Sequence, residues 1–378
     1  MAYLNQVPAQ SVARQPRALV KINDTIVPGM IDFSVDSNSF YSADTFRVVF
    51  ATSLLPAAFN VDWFSTVTEA FVEIFAGFPD DPTNYSPADL SSLIYGRVDD
   101  IDFDPCGTKI TLTGRDLTAA MIDTKLTKQW NNLTASGVAT QLANKHGLTP
   151  QVTATTEIIG KYYQIDHVRI NAERSEWDLL AWLAAEEGFV VYAKGHTLFF
   201  GPDPRTPDTP YLVRWQAPSD TAGYSTMNGG RASFHRSLTV AKGITVVVHS
   251  WNNKQKKGFD GYYPSRPKAI QAGKASPFGN TQTYEFNIPG LTQQQAVARA
   301  QALYNQIIRH AVNFAYDAPA DDLLTARVMI QTEGFPGSFN QTFYVDSVTR
   351  EFSLDAGYSM HVRAKNQNPD LQVSNLAA

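Results

Sequence analysis

Between Tyr95 and Asp116 the chain reads Tyr-Gly-Arg-Val-Asp-Asp-Ile-Asp-Phe-Asp-Pro-Cys-Gly-Thr-Lys-Ile-Thr-Leu-Thr-Gly-Arg-Asp. Alternating apolar positions on either side of an Asp-Pro-Cys-Gly turn predict a β-hairpin that feeds directly into a helix. The pattern returns near the C-terminus. Val345-Asp346-Ser347-Val348 echoes Val98-Asp99-Asp100-Ile101, and the segment from Gly357 to Asn366 echoes Gly107 to Asp116. Two hairpins of one pattern predict two similar β-domains in one polypeptide.

The rest of the chain divides around them. Residues 1–17 lack periodicity and read as an N-terminal arm, free or laid on a partner. Over residues 18–115 the period is two, with short strands at Ala18–Ile22, Ile31–Val35, Phe46–Phe50 and Ala70–Phe75 before the hairpin, a spacing that predicts a small first β-barrel. Residues 116–200 change character and form a small α/β domain. Thr134 caps one helix that stops at Gly147, Ser175 opens a second with Asp178 completing a capping box, and a hairpin turns at Lys194-Gly195. Four prolines between Gly201 and Pro210 mark a linker, because proline cannot donate to a ladder or a helix. Residues 201–250 and 311–366 are assigned to a second, discontinuous β-barrel. The insertion at 251–310 is a long loop followed by a helix that opens at Thr292 and presents Val297, Ala300, Tyr304, Ile307 and Ile308 on one face. Residues 367–378 are a polar tail. The fold class is therefore α+β, β-rich and multidomain.

Composition narrows the function. A length of 378 residues suits about two to three domains. With a formal net charge of -5 there is no basic footprint for nucleic acid, and a single cysteine, Cys106, excludes a disulfide framework and cysteine-rich metal sites. The N-terminus has no signal-peptide pattern and no stretch approaches the ~20 apolar residues of a membrane helix, so stable membrane insertion is not expected and synthesis in a cytoplasm is.

Candidate chemistry is sparse. Asp99, Asp100, Asp102 and Asp104 invite a metal or two-carboxylate reading; on a regular strand, however, the last three share one face and Asp99 lies opposite, without the spacing of a calcium loop. A solvated hairpin face accounts for them as well. Histidines 146, 166, 196, 235, 249, 310 and 361 are scattered without a paired motif, and His249 reads as a packed or interface residue. Cys106 lies in the hairpin turn with no cationic residue adjacent to it and reads as inert. Trp63, Trp130, Trp177 and Trp182 read as core anchors. No glycine loop cradles a phosphate, and no cofactor is expected. Trp251, Lys254, Lys256, Lys257, Tyr262 and Tyr263, with Arg266 beyond, mix cations with aromatics as surfaces for nucleic acid or sugars do. In a net acidic chain the same mixture suits a protein interface.

The order of these pieces resembles a known family. Tyr95–Ile101 with Ile110–Thr118, then Gln129–Thr134, Ala241–Trp251, the helix from Gln293 to Arg309, and Tyr344–Phe352 with Gly357–Ala364 look like the late-control D type of central baseplate hub of contractile phage tails, related to the hub half of type VI secretion spike proteins. The resemblance spans about residues 18 to 366. It implies a non-enzymatic virion protein of the tail baseplate. Homotrimers would place two barrels per chain in a pseudo-sixfold ring that joins a threefold spike to a sixfold tail tube around a channel for DNA in transit. Because the chain stops at Ala378, the spike is expected to be a separate protein, with tube or distal tube proteins and baseplate wedge proteins as further expected partners. The acidic balance suits a channel that does not hold phosphates. The alternative from another class is a β-rich carbohydrate-binding or hydrolytic tail module, using the hairpin aspartates or the 252–282 loop.

Overall fold

The structure is a computed structural model that describes residues 2–7, 15–39, 42–125, 130, 133–156, 175–205, 208–219, 223–237, 244–252, 256–264, 282–289, 291–308 and 312–366. The chain opens with seven strands, β1 (Arg17–Ile22), β2 (Thr25–Ile26), β3 (Met30–Asn38), β4 (Thr45–Ala51), β5 (Phe71–Gly77), β6 (Ser91–Asp104) and β7 (Lys109–Asp116), with a short helix α1 (Val61–Thr66) between β4 and β5. Helix α2 (Ala119–Asp123) follows the hairpin as its sequence predicts. The α/β domain comprises α3 (Ala135–Lys145), β8 (Thr149–Val152), α4 (Glu176–Glu187), β9 (Val190–Lys194) and β10 (Thr197–Gly201). Then come β11 (Tyr211–Gln216), β12 (Thr226–Met227), β13 (Arg231–Arg236), β14 (Ile244–Asn252), β15 (Lys257–Tyr263), β16 (Gln282–Asn287), α5 (Gln293–Ile308), β17 (Val312–Pro319), β18 (Met329–Glu333), β19 (Thr342–Ser353) and β20 (Gly357–Lys365).

Fourteen of these strands form one sheet, and they fall into two sets of seven. In the first set the strand order is β3-β4-β7-β6-β5-β1-β2; in the second it is β13-β17-β20-β19-β18-β11-β12. Numbered within each set, the two orders are identical, so the hairpin echo marks a repeat of the whole unit. One strand departs from it: β1 runs antiparallel to β5, whereas β11 runs parallel to β18.

Two closed barrels are expected from the strand spacing, and strand pairing among the described residues closes neither ring. Instead β3 extends the sheet across to β19, pairing Asp32–Asn38 with Ser347–Ser353. The cause is the length of β19, whose first residues pair β18 at Thr342–Tyr344 and whose remainder offers a second free edge. One apolar core runs through both sets, with Phe33 and Phe50 from the first and Phe314, Tyr316 and Phe343 from the second fully buried.

The α/β domain follows its sequence signals closely. Thr134 accepts the Gly137 N–H at 3.1 Å, Ser175 and Asp178 form the capping box, and Gly188 ends α4 in the left-handed region at φ 68°. Behind these helices lies the three-stranded sheet β8-β10-β9. The buried Glu176 carboxylate binds both Lys145 and His146, tying α4 to the end of α3. Trp130 and Trp177 are buried in this core as anchors, while Trp63 packs at the edge of the large one.

The insertion is larger than its expected limits. Strand β14, expected in the second barrel up to residue 250, pairs among the described residues only with β15 and β16, in a separate sheet that packs on α5. Ile244, Val246 and Val248 meet Ala296, Ala300 and Leu303. The apolar alternation of β14 set which face is buried but not which partner buries it. The inner face of α5 likewise differs from expectation: Val297 is exposed and Ala296 takes the place assigned to it. This unit interrupts the second set between β13 and β17, where the first set has the short connection from β3 to β4.

Glycines let the first hairpin carry a phenylalanine across its face. A Cβ on Gly114 would lie 2.1 Å from the Arg97 carbonyl oxygen and 2.6 Å from the Phe46 ring, and one on Gly96 only 2.4 Å from the Arg115 carbonyl. Replacing Gly114 by Ala is expected to destabilise the protein by on the order of 2 kcal/mol. Gly223→Ala, where a Cβ meets nothing within 4 Å, should leave stability within about 0.5 kcal/mol of wild type. Urea unfolding midpoints of the two variants check this.

Candidate functional site

Each hairpin carries a β-bulge at the equivalent residue. Pairing between β6 and β7 shifts register between Val98 and Asp100, and pairing between β19 and β20 shifts between Val345 and Ser347, so Asp99 and Asp346 are the extra residues. Each aspartate binds a cation at the same place on the partner strand. Arg115 Nε donates to Asp99 at 2.6 Å, and Lys365 Nζ lies 2.9 Å from Asp346. Arg115 also reaches Asp123 of α2 at 2.9 Å, which holds the Asp123 carboxyl below the ordinary range and ties the helix to the hairpin. The bulge corrects one sequence expectation: Asp99 does not lie opposite the other aspartates but turns to the solvent side, beside Arg97 and Arg115.

Asp100, Asp102 and Asp104 are exposed along the rest of β6. Asp104 Oδ1 accepts from the backbone N–H groups of Cys106 and Gly107, closing the turn, and Cys106 is exposed there. Phe103, between them, is 48% exposed. Among the described residues no group of three His, Cys, Asp or Glu side chains is placed to hold a metal ion. No helix among them is long and apolar enough to cross a membrane.

The cation and aromatic cluster of the insertion separates into two parts. Trp251, 56% exposed, and the exposed Lys256 and Lys257 sit together at the end of the β14–β15 hairpin where the two strands connect, with Gly258 opposite Trp251. Tyr263 instead packs edge-on against Tyr304 of α5 at 4.9 Å, inside the small core. Tyr262 points its hydroxyl at Asp260, which His249 Nδ1 also meets at 2.8 Å. Lys254 and Arg266 lie outside the described residues. The arm, read from sequence as free or partner-bound, is laid on its own chain over its first residues: Asn5 exchanges two bonds with Leu212, and Tyr3 donates to Glu333.

Sequence motifs do not reveal the cleft where the first strand set, the α/β domain and the loop before β18 meet. It has a volume of about 390 Å³ and is lined by Asp44, Asp116, Asp322, Arg327 and Arg350, among others. Asp116 ends the first hairpin and accepts from Thr118, while Asp44 accepts the Asn38 N–H at 2.7 Å. Enclosure, and then the charge of Asp116, pushes Asp44 up to about 7; burial pushes Asp116 up to about 6 against the Thr118 hydroxyl. Arg327 spans the cleft wall, its guanidinium 4.1 Å from the centre of the Tyr192 ring of β9. These groups come from distant segments, so no local spacing announces them.

This architecture is the fold of phage and prophage tail proteins. A tail protein from Neisseria meningitidis MC58 superposes with a TM-score of 0.62 at 11% identity, over 95% of this chain and 99% of that one. The 43 kDa tail protein of prophage MuSo2 from Shewanella oneidensis gives 0.64 at 14% identity, over 94% and 99%. Prophage tail protein gp18 from Listeria monocytogenes EGD-e gives 0.52 at 9% identity, over 95% and 98%. No protein-family profile and no curated protein sequence matches the chain.

Asp44 and Asp116 have folded-state pKa values above the ordinary carboxylate range, so the folded protein holds their protons more tightly than the unfolded chain. Their contribution is present at about pH 4 and is lost as pH rises through 6 to 7. Asp44→Asn should therefore be more stable than wild type at pH 8, by on the order of 2 kcal/mol. It should also flatten the stability profile between pH 5 and 8, read from denaturant midpoints across that range.

Proposed function

We propose that this chain is the structural hub of a phage-type tail and carries out no chemistry of its own. In this reading three copies associate, and their six strand sets form six barrel-like units around a channel. A separate threefold spike protein docks on one side and sixfold tube or distal tube proteins on the other, wedge proteins bind outside, and DNA passes through without being held. The protein belongs to the virion, at the baseplate, and the late-control D type is the family it resembles most in the order of its pieces.

One observation carries the proposal: the chain presents the same seven-strand order twice, with a bulge aspartate and its cation at matching positions. A duplicated unit in a threefold assembly supplies six near-equivalent positions, which is what a joint between threefold and sixfold parts needs. The fold shared with tail proteins over nearly the full length of each chain supports the same reading. Against a hydrolytic module stand the hairpin carboxylates themselves, since Asp99 is bound by Arg115 and Asp104 holds its own turn.

Native mass spectrometry of the purified chain is expected to give a trimer, and negative-stain images of it a ring with sixfold appearance. A strict monomer overturns the hub reading, and affinity for glycans in addition would favour the carbohydrate-binding alternative.

A further inference from the structure

The two strand sets differ in one way that matters for assembly: what covers their edges. In the first set, the outer edge of β3 pairs β19 of the second set over Asp32–Asn38 and Ser347–Ser353. The second set's counterpart of β3 is β13, because each is followed by the strand that pairs it and then by the hairpin (β4 with β7, β17 with β20). Among the described residues β13 pairs β17 alone, so its outer edge is open. The counterpart of β19 is β6. Strand β5 covers β6 only from Ser91 to Arg97, and beyond the bulge the edge from Asp100 to Asp104 is open too. The chain thus carries one half of the β3–β19 joint at each of two exposed places.

We propose that these two edges pair between copies: β13 of one chain adds antiparallel to the distal part of β6 of the next, repeating between chains the joint that β3 and β19 make within one. The inference rests on the hub reading and names the contact that builds the ring. Three copies would then be held by three joints within chains and three between them, a head-to-tail contact of the kind that closes rings.

The register follows from the repeat. The hairpin ladders make Val98 equivalent to Val345, and the ladders of β4 and β17 make Asp36 equivalent to His235. Since Asp36 stands opposite Thr349, with a hydrogen bond between the two side chains, His235 falls opposite Asp102 and Phe234 opposite Phe103. In that alignment His235 faces Asp102 directly, and Arg231 lies diagonal to Asp104, within reach of a long side chain. The exposed side of β13 carries Arg231 and His235, with Arg236 at its end, and the exposed side of distal β6 carries Asp100, Asp102 and Asp104. Opposite charges across an antiparallel pair are favourable, and they select against each edge pairing with its own kind. On the other side, the exposed Phe103 would be covered, against a Phe234 that already packs on the main core. Two open edges with complementary charges thereby lose the aggregation risk that unpaired strands carry.

The test uses the full chain. In a Cys106→Ser background, His235→Cys and Asp102→Cys together should give covalent dimers and trimers on non-reducing gels after mild oxidation, because opposed residues in a ladder lie ~4.5–5.5 Å apart, within disulfide reach. Each single cysteine variant should give no trimer. Separately, Arg231→Glu with His235→Glu, or Asp100→Lys with Asp102→Lys, should weaken association on the order of a hundredfold, while all four changes in one chain should restore it. Circular dichroism checks folding of every variant. A trimer whose mass ignores both reversals, with cysteine pairs that stay monomeric, overturns the pairing and leaves the hub reading standing. A monomeric wild-type chain overturns both.

Discussion

The pairing of β3 with β19 is the contact on which the architecture depends. It converts two seven-stranded units into one fourteen-stranded sheet and lets one core run beneath both. The contact is possible because β19 is twelve residues long and bends at Asp346, so that β18 and β3 take successive stretches of the same edge. A straight, shorter strand would offer one partner only. The bulge thus aims the distal half of the strand, and the half-buried ion pair of Lys365 with Asp346 fixes that aim.

Duplication accounts for the same device in the first unit, where no strand among the described residues makes use of it. The β6 bulge is anchored more elaborately, with Arg115 shared between Asp99 and Asp123, and Arg97 beside them. Salt bridges this exposed contribute little to stability. Their role is geometric: they hold the hairpin's distal half, and its acidic edge, in a set direction relative to α2 and the α/β domain. That domain in turn closes the cleft over Asp44 and Asp116, joining the end of the hairpin to the loop before β18.

Much of the local structure was legible in residues. The helix caps at Thr134 and Ser175, the stop at Gly188 and the two hairpins followed from short-range rules, because caps and turns satisfy backbone groups within a few residues of themselves. The repeat was legible as the Val98 and Val345 echo. Arg115 and Lys365 stand at matching places in the two echoing segments, but their role as anchors was not legible, since nothing in one strand says that its neighbour bulges. Strand β14 shows the other limit: its alternation named a buried face, while the choice between the second unit and α5 was made by which apolar surface stood nearest in space. The cleft acids gave no signal at all, each being an ordinary aspartate in its own segment.

By itself, then, the sequence determined the periodicities, the caps and the existence of two matching hairpins, all of which rest on interactions between residues close in the chain. Tertiary structure alone decided that the two units share a sheet through β3 and β19, that Asp44 and Asp116 are enclosed together, and that, among the described residues, β13 and distal β6 keep open edges of opposite charge. These depend on pairings between residues hundreds of positions apart. Such pairings are selected by shape, edge availability and total burial, and a linear pattern records none of the three.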